Sequence, residues 1–484
     1  MTKTVKPYWQ NFIDGKWVDG AKGGRIPVEN PATGEMLAEI AEAVEEDVNA
    51  AVGAARRCFD SRRLADMKPA ERQQMMFRVA AEIRAMSDEI VELLCLDSGK
   101  PLKVAKGEAI TAARYFEYYG GLADKIEGRS IPLGPGYVNY TIPSPYGVSG
   151  QVVPWNFPAG LTSRSLAAAM ATGNSVVVKS PELAPLAVCL IGEACERAGV
   201  PEGSVNIICG YGPVAGAALV QHPDVNHLVF TGSVKTGQSI MQAAAERVVP
   251  TVMELGGKGG GIVFPDADVQ QVVDSANGGI FRHSGQVCSA MSRLIVHESV
   301  HDEIVGSITD MAKNLTVGAG IDDCDITPLM SEGQLDRVEN YCLSGVQAGA
   351  EAVIGGRRLE DRAGHFMPAT LFTGVTSDMT IAQEEIFGPV LSVIPFKDPE
   401  EAIEIANGTE YGLTAGVFTK DLNRAHWTAE RLVAGQIFVN EWHAGGIETP
   451  FGGMKKSGFG REKGQEALLN YVQTKNVAIK IAVD

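Results

Sequence analysis

The stretch His227-Leu-Val-Phe-Thr-Gly-Ser-Val-Lys-Thr-Gly237 shows most directly which fold this chain adopts. Its first part, His227–Thr231, is mostly apolar and β-branched, which predicts a buried strand. Gly232 and Ser233 interrupt this strand, and a helical pattern follows over residues 234–246. A strand that passes directly into a helix is the repeating unit of an α/β fold with a parallel sheet.

The same alternation fills the region before this stretch. Helices are predicted over residues 165–172 and 185–198, and strands over residues 175–179 and Val205–Cys209. Successive parallel strands are joined by right-handed crossovers, so this order predicts a Rossmann-like, nucleotide-binding sheet.

Composition excludes several classes of protein. At 484 residues the chain is long enough for about three domains. A net charge of −17, from 42 Lys and Arg against 59 Asp and Glu, argues against nucleic-acid binding. The N-terminal stretch lacks the apolar core of a signal peptide, and no run approaches the roughly 18 apolar residues of a transmembrane helix. The eight cysteines and eight histidines form no Cys-x-x-Cys or His-Glu-x-x-His motif. We therefore expect a cytoplasmic, metal-independent protein that binds neither membrane nor nucleic acid.

Four short motifs indicate the chemistry. Cys288 lies among small residues in Phe281-Arg-His-Ser-Gly-Gln-Val-Cys-Ser-Ala290, and Glu254 lies upstream in Met253-Glu-Leu-Gly-Gly-Lys258. A thiol suits covalent attack on a carbonyl, and a carboxylate from a separate Gly-rich segment suits activation of water. With Pro154-Trp-Asn-Phe-Pro158 and Phe230-Thr-Gly-Ser233, the set resembles the aldehyde dehydrogenase superfamily, in its NAD(P)-dependent, non-phosphorylating, hydrolytic form.

The resemblance covers nearly the whole chain and implies an enzyme that oxidises an aldehyde to the carboxylic acid. Cys288 would form a thiohemiacetal and then a thioester, and Glu254 would activate the water that releases the acid. Asn156 and the backbone N–H of Cys288 would stabilise the oxyanion. Glu462 matches a family residue proposed to relay protons, with an interface ion pair as an equal alternative. A CoA-acylating dehydrogenase, which generally lacks the glutamate, and a non-catalytic binding protein are the rival hypotheses.

The most suitable phosphate-binding turn is formed by residues 232–237, which join a strand to a helix N-terminus. Glycine patterns at 210–216 and 458–464 have another spacing and indicate turns. Lys179 and Glu182 follow a predicted strand, where a carboxylate can accept both ribose hydroxyls of an adenine nucleotide. Such a carboxylate repels a 2′-phosphate, so NAD is the expected cofactor, and NADP is a weaker alternative because of Lys179. The resemblance adds cofactor contacts at Val153, Pro154, Trp155, Gly212, Phe230, Gly232, Ser233, Leu255, Glu385 and Phe387.

Two arginines bear on the identity of the aldehyde. Arg164 and Arg282 match the positions that hold a distal carboxylate in the succinic semialdehyde dehydrogenase branch. A guanidinium binds a carboxylate bidentately, so the pair would select an aldehyde that carries a remote negative charge. Either arginine could instead bridge to a neighbouring acid. Phe157 is a further expected substrate contact.

Departures from that branch keep other substrates open. His283 stands where the family usually has Asn, and residues 440–446 contain glycines where the branch uses serine. Trp442 and His443 could line an aromatic pocket instead. An acid semialdehyde is therefore the favoured substrate, with aromatic or arylalkyl aldehydes and a broad aliphatic range as alternatives.

The resemblance also divides the chain into domains. Residues 1–128 and 146–253 would form the NAD-binding domain, and 254–451 the α/β catalytic domain. Residues 129–145 and 452–484 would form an oligomerisation element, in which residues 470–481 alternate like a strand. The resemblance implies a homodimer or homotetramer.

Overall fold

Two large sheets organise residues 5–482, the part of the chain that the computed structural model describes. The first sheet has eight strands, of which five adjacent ones are parallel. The predicted strands at 175–179, Val205–Cys209 and His227–Thr231 are confirmed, the first with one additional residue. In spatial order the strands are Gly458–Phe459, Thr251–Glu254, His227–Thr231, Val148–Val152, Ser175–Ser180, Val205–Cys209, Asn11–Ile13 and Lys16–Val18.

Helices cover both faces of this sheet, as the apolar sequences of its central strands require. Pro158–Ala171 and Leu186–Arg197 pack in one apolar cluster, and Glu45–Asp60 and Val234–Arg247 pack in the other. The predicted helices are confirmed, but the one at 165–172 begins earlier, where a proline occupies its first turn. The remaining helices before the second sheet are Pro69–Ala85, Ser87–Asp97, Leu102–Leu122 and Ala217–Gln221.

The second sheet forms the framework of the predicted catalytic domain. It has seven strands, parallel except for the first pair. Their spatial order is Glu351–Ile354, Thr370–Thr373, Val390–Phe396, Arg293–His297, Gly260–Val263, Thr414–Phe418 and Gln436–Val439. Helices of this half are Val269–Ala276, His301–Lys313, Glu332–Gln347, Thr380–Gln383, Pro399–Asn407 and Leu422–Arg431, and the short helix Glu466–Leu469 follows.

A two-stranded ribbon extends from these layers. Tyr137–Pro145 pairs antiparallel with Val472–Lys480 over its whole length, so the predicted C-terminal strand is confirmed. The ribbon exposes a set of large apolar side chains: Tyr137, Val138, Tyr140, Ile142 and Ile479. Within the predicted element 452–484, Gly458–Phe459 pairs with the first sheet. Residues 1–4 and 483–484 of the predicted domain ranges lie outside the described residues.

Two small sheets complete the architecture. Tyr8–Trp9, Glu35–Ala41 and Arg25–Asn30 form one, and Tyr411–Gly412 pairs with Met454–Lys455 in the other. No helix within residues 5–482 combines the length and the apolar character needed to cross a membrane.

Candidate active site

Two cavities meet at Cys288 and Asn156. The larger cavity, of about 370 Å³, lies against the helices Leu102–Leu122 and Pro158–Ala171. The smaller cavity, of about 190 Å³, lies where the strands His227–Thr231 and Thr251–Glu254 end. Cys288 and Asn156 line both of them. A reactant in one cavity can therefore reach the same sulfur as a reactant in the other.

An unusual backbone conformation precedes Cys288. His283, Ser284 and Gly285 all have positive φ angles, of 50°, 51° and 72°. Two consecutive non-glycine residues in this region are costly unless surrounding contacts hold them. The Ser284 hydroxyl donates to the Thr327 carbonyl at 2.6 Å. A Cβ on Gly285 would lie 2.0 Å from the Gly388 carbonyl oxygen, so no larger residue fits there. These contacts fix the turn from which Cys288 projects.

The surroundings of the Cys288 sulfur favour the neutral thiol over the thiolate. Burial raises the pKa of Cys288 to about 12, and the nearby Glu254 carboxylate raises it further, while Arg164 acts in the opposite direction. Because the thiolate is the nucleophile, attack on a carbonyl requires a group that takes the thiol proton.

Glu254, the candidate for this role, lies at the end of the strand Thr251–Glu254. It is 2% exposed, and neither carboxyl oxygen has a hydrogen-bond partner among the described residues. Burial raises the pKa of Glu254 to about 8, against the attraction of Arg164. A carboxyl group whose pKa lies near neutrality exchanges protons readily at physiological pH, as a general base must.

Asn156 stands between the two cavities with one amide donor already engaged. Its side-chain Nδ2 donates to the backbone carbonyl of Gln286 at 3.0 Å. The backbone carbonyl oxygen of Asn156 lies 3.1 Å from Nε2 of His283. A primary amide has two N–H donors, so one hydrogen bond anchors the side chain and a second donor is left. An anchored donor next to a nucleophile suits stabilisation of an oxyanion.

Most residues predicted to bind the cofactor line the smaller cavity. Glu385 accepts a hydrogen bond from the Gly257 N–H at 2.9 Å, and burial raises the pKa of Glu385 to about 7. A Cβ on Gly256 would come within 2.4 Å of the Glu385 carboxylate, so glycine is required for this approach. The predicted residues that line this cavity are Pro154, Trp155, Gly232, Ser233, Leu255, Glu385 and Phe387.

A second group of predicted cofactor residues gathers at the end of the strand Ser175–Ser180. Lys179 forms an ion pair with Glu182, and the other Glu182 oxygen accepts from the Gly212 N–H at 3.4 Å. Burial by itself raises the pKa of Glu182. The charge of Lys179 and its hydrogen bond to the carboxylate outweigh this effect, so the pKa of Glu182 is lowered. Val153 and Phe230 are buried and line neither cavity.

Four residues that line the smaller cavity were not predicted: Thr231, Gly256, Gln334 and Arg337. Gln334 donates to the Phe387 carbonyl at 2.8 Å, and Arg337 donates to the Glu385 carbonyl at 2.8 Å. Both line the cavity from the first turns of the helix Glu332–Gln347. Gln334 and Arg337 are three positions apart, which places them on one face of the helix. This spacing is the only sequence feature that could have indicated them.

Four of the predicted substrate-binding residues line the larger cavity: Phe157, Arg164, Arg282 and His443. The prediction for Trp442 is corrected, because this residue is buried in the core and does not line the cavity. Its indole nitrogen donates to the Ser289 carbonyl at 2.9 Å, directly after the candidate nucleophile. Trp442 thus supports the Cys288 loop from behind. Lys463, Glu108 and Tyr115 are wall residues that were not predicted.

Arg164 has an internal partner. Its Nε lies 2.6 Å from a carboxyl oxygen of Glu462, and both side chains are almost fully buried. This is a bridge to a neighbouring acid, the alternative considered for Arg164, and it lies within the chain. Glu462 offsets the Arg164 charge, which argues against Arg164 as a member of the predicted substrate clamp with Arg282.

Known proteins resemble this chain over nearly its whole length. The model of the aldehyde dehydrogenase family matches residues 17–477. A mitochondrial benzaldehyde dehydrogenase of Antirrhinum majus is 42% identical over 489 residues, covering 99% of this chain and 91% of that protein. Betaine aldehyde dehydrogenase of Bacillus subtilis (strain 168) is 40% identical, covering 96% of each. The NAD+ complex of aldehyde dehydrogenase from Bacillus cereus superposes with a TM-score of 0.97 at 42% identity, covering 98% of this chain and 97% of that one.

Proposed function

Since the chain belongs to the aldehyde dehydrogenase family, we propose that it oxidises an aldehyde to the carboxylate with NAD, through a thioester on Cys288. The observation that carries this proposal is the junction of two cavities at Cys288 and Asn156, with Glu254 on one wall. An aldehyde in the larger cavity and a nicotinamide in the smaller one would face the same sulfur.

The chain's own groups account for the covalent steps. Glu254 takes the Cys288 proton, the sulfur adds to the aldehyde carbon, and the carbonyl oxygen becomes an oxyanion. Asn156 donates a hydrogen bond to that oxyanion. The chemistry that NAD supplies when bound is acceptance of hydride from this carbon, which leaves a thioester. Glu254 passes its proton to solvent and then accepts a proton from water, which attacks the thioester carbon. The C–S bond breaks, the acid leaves, and the proton on Glu254 returns to the sulfur to regenerate the thiol.

The residues present fit NAD. Glu182 offers a partly buried carboxylate for ribose hydroxyls, beside the N–H of Gly212. Ser233 caps the helix Val234–Arg247, whose positive end suits a pyrophosphate. Glu385 and Phe387 line the cavity next to Cys288, as a nicotinamide ribose site would require. A 2′-phosphate would be repelled by Glu182, which makes NADP the poorer cofactor.

The favoured substrate is an acid semialdehyde of the succinic semialdehyde type. Arg282 lines the larger cavity six residues before Cys288, and Lys463 adds a second cation to the same wall. These charges favour an anionic aldehyde and disfavour a cationic one such as betaine aldehyde, the substrate named for one relative.

A neutral aromatic aldehyde is the second candidate. The larger cavity is also lined by the rings of Phe157, Phe438 and Phe451, which suit an aromatic substrate. The benzaldehyde dehydrogenase relative adds weight to this alternative. Aliphatic aldehydes would be accepted through the same apolar surface, with less discrimination.

The test is NADH formation with purified protein and four aldehydes: succinic semialdehyde, butanal, benzaldehyde and phenylacetaldehyde. We expect NADH with at least one and the highest kcat/KM with succinic semialdehyde. Benzaldehyde as the best substrate would support the second candidate. No NADH with any aldehyde, by protein that binds NAD, would contradict the proposed reaction.

The nearest rival enzyme transfers the acyl group to CoA. Glu254 argues for hydrolysis by water. Its carboxyl group lines the same cavity as Cys288, and its pKa, raised to about 8, suits a base that activates a water molecule. Hydrolysis predicts turnover without any added thiol. A strict requirement for CoA would contradict this assignment.

We also propose that the protein works in the cytoplasm as a homodimer or homotetramer. The support for assembly is the ribbon of Tyr137–Pro145 and Val472–Lys480, whose exposed apolar side chains suit burial against a second copy. Sedimentation equilibrium would test this, and a monomer at micromolar concentration would contradict it.

A further inference from the structure

We propose that Lys463, acting with Arg282, binds the distal carboxylate of the substrate and thereby sets a preference for acid semialdehydes. This inference rests on the proposed aldehyde oxidation. It assigns to Lys463 the position in the carboxylate clamp that Arg164 leaves unfilled.

Lys463 is held on the wall of the larger cavity. Its backbone is in the left-handed region, with φ of 62°, between the buried residues Glu462 and Gly464. Its Nζ lies 5.1 Å from the centre of the Phe451 ring, which also lines the cavity. Such a cation–π contact orients an ammonium group without neutralising it.

Three acids beside the larger cavity are matched with other cations, whereas Glu254, which also acts on Lys463, lines the smaller cavity. Glu462 pairs with Arg164, Glu108 pairs with the buried Lys100, and Glu448 pairs with Arg114. Within residues 5–482, Lys463 and Arg282 have no ion pair of their own. Two cations without acid partners on the wall of one cavity favour an anionic ligand.

A third group supports the same ligand. Nε2 of His443 is buried and has no hydrogen-bond partner among the described residues, and His443 lines the same cavity. Burial lowers the pKa of His443 to about 3, and Arg282 and Lys463 lower it further, so both cations act on this ring. A neutral imidazole with an unsatisfied nitrogen can donate one hydrogen bond to a carboxylate between the two cations.

Lys463 could instead stabilise the Cys288 thiolate, and the two roles differ in their effect on substrates. Carboxylate binding affects only an anionic aldehyde, whereas thiolate stabilisation affects every aldehyde. Succinic semialdehyde and butanal have the same carbon chain and differ by the carboxylate, which makes them a matched pair.

The experiment measures kcat and KM for both aldehydes with the full-length wild type, Lys463→Met and Lys463→Arg. Exposed Lys397, which lines neither cavity, provides the control variant Lys397→Met. We expect Lys463→Met to lower kcat/KM for succinic semialdehyde by about 10- to 100-fold, mainly through KM, and to change butanal by less than about 3-fold. Lys463→Arg should retain most of the preference, and Lys397→Met all of it.

The pH dependence provides a second readout. Burial and Arg164 lower the pKa of Lys463 to about 8, against the opposing effects of Cys288, Glu254 and Glu448. The preference of the wild type for succinic semialdehyde over butanal should therefore fall as pH rises through about 8, whereas Lys463→Arg should keep its preference because arginine stays charged.

Three results would overturn the proposal: an equal loss for both aldehydes in Lys463→Met, no loss for succinic semialdehyde, or a wild type that prefers butanal. Unchanged butanal oxidation also shows that the variant is folded. Failure of the proposed function itself is distinct, because the wild type would then form no NADH with either aldehyde.

Discussion

The two cavities that meet at Cys288 are built in different ways. Most residues that line the smaller cavity end or follow the adjacent strands Val148–Val152, His227–Thr231 and Thr251–Glu254. The helix Glu332–Gln347 and the loops that carry Cys288, Glu385 and Phe387 complete its wall. The larger cavity is lined by side chains from the helices Leu102–Leu122 and Pro158–Ala171 and from loops after residue 435. Adjacent parallel strands bring their carboxyl ends together whatever side chains follow, whereas helix and loop walls depend on the packing of individual residues.

This difference separates chemistry from selectivity. Glu254 and the turn at Ser233 stand at strand ends of the first sheet, whereas Cys288 projects from a loop that is held by contacts of its own. Groups that would recognise the rest of the aldehyde stand on elements whose side chains can change without disturbing the sheet. Variants in the two cavities should therefore change different kinetic constants, and those at their junction should change all of them.

The largest effect is expected at the junction, for Cys288→Ala. Loss of the thiol removes the covalent step, so NADH formation should fall by more than about 10⁴-fold with every aldehyde. The Kd for NAD, measured by calorimetry, should change by less than about 3-fold, because the cofactor residues are untouched. Surviving oxidation at the wild-type rate would show that Cys288 is not the nucleophile.

Glu254→Gln tests whether Glu254 is the base that activates the hydrolytic water. The amide cannot accept a proton from water, so steady-state kcat should fall by about 10²- to 10⁴-fold. If the Cys288 proton can reach solvent by another route, a burst of one NADH per site should remain in rapid-mixing experiments. Unchanged steady-state turnover would remove Glu254 from the mechanism.

The pH profile sharpens this assignment. A base must be deprotonated to act, and the pKa of Glu254 is raised to about 8. For the wild type, thioester hydrolysis should therefore speed up as pH rises towards about 8 and level off above it. The glutamine variant should lack this rise, and a profile with the same rise in both proteins would assign it to another group.

Asn156→Ala should have the next largest effect. Loss of one oxyanion donor lowers the rate of NADH formation by about 10²- to 10³-fold. Because Asn156 lines both cavities, the loss should be similar for succinic semialdehyde and butanal, unlike that of Lys463→Met. Thermal denaturation controls for the lost hydrogen bond to Gln286. A loss confined to one aldehyde would mean that Asn156 contacts the substrate tail instead.

The sequence predicts the smaller cavity well for a physical reason. Apolar β-branched runs identify the strands, and a residue that directly follows a strand is thereby located at the sheet edge. Glu182 and Ser233 were located in this way, whereas Glu254 was identified from its Gly-rich motif and the strand before it was not predicted. Their roles came from the resemblance to a known family, because a carboxylate at a strand end is not by itself a base or a ribose ligand.

The larger cavity could not be predicted to the same degree. The pairing of Arg164 with Glu462 joins residues far apart in sequence, and nothing local distinguishes it from a substrate clamp. The position of Trp442 depends on glycines from three other segments. A Cβ on Gly259, Gly279 or Gly416 would lie 3.0, 3.1 or 2.7 Å from the indole, so these glycines make room for a core residue. Such complementarity is visible only once the segments are packed.

The smallest effect is expected far from the sulfur, at Glu182. Glu182→Gln keeps the hydrogen-bonding shape but removes the charge that would accept ribose hydroxyls, so KM for NAD should rise by about 3- to 10-fold while kcat stays constant. Removal of the carboxylate also leaves Lys179 without its partner and ends the repulsion of a 2′-phosphate, so relative kcat/KM for NADP should increase.

Exposed Glu351, on the edge strand of the second sheet, supplies the control Glu351→Gln. Equal weakening of both cofactors would mean that Glu182 only shapes its loop. A rise in kcat/KM for NADP relative to NAD, with the preference among aldehydes unaltered, would show that cofactor selectivity can change without a change in aldehyde selectivity. The location of Glu182 after a strand end, away from the larger cavity, leads us to expect this outcome.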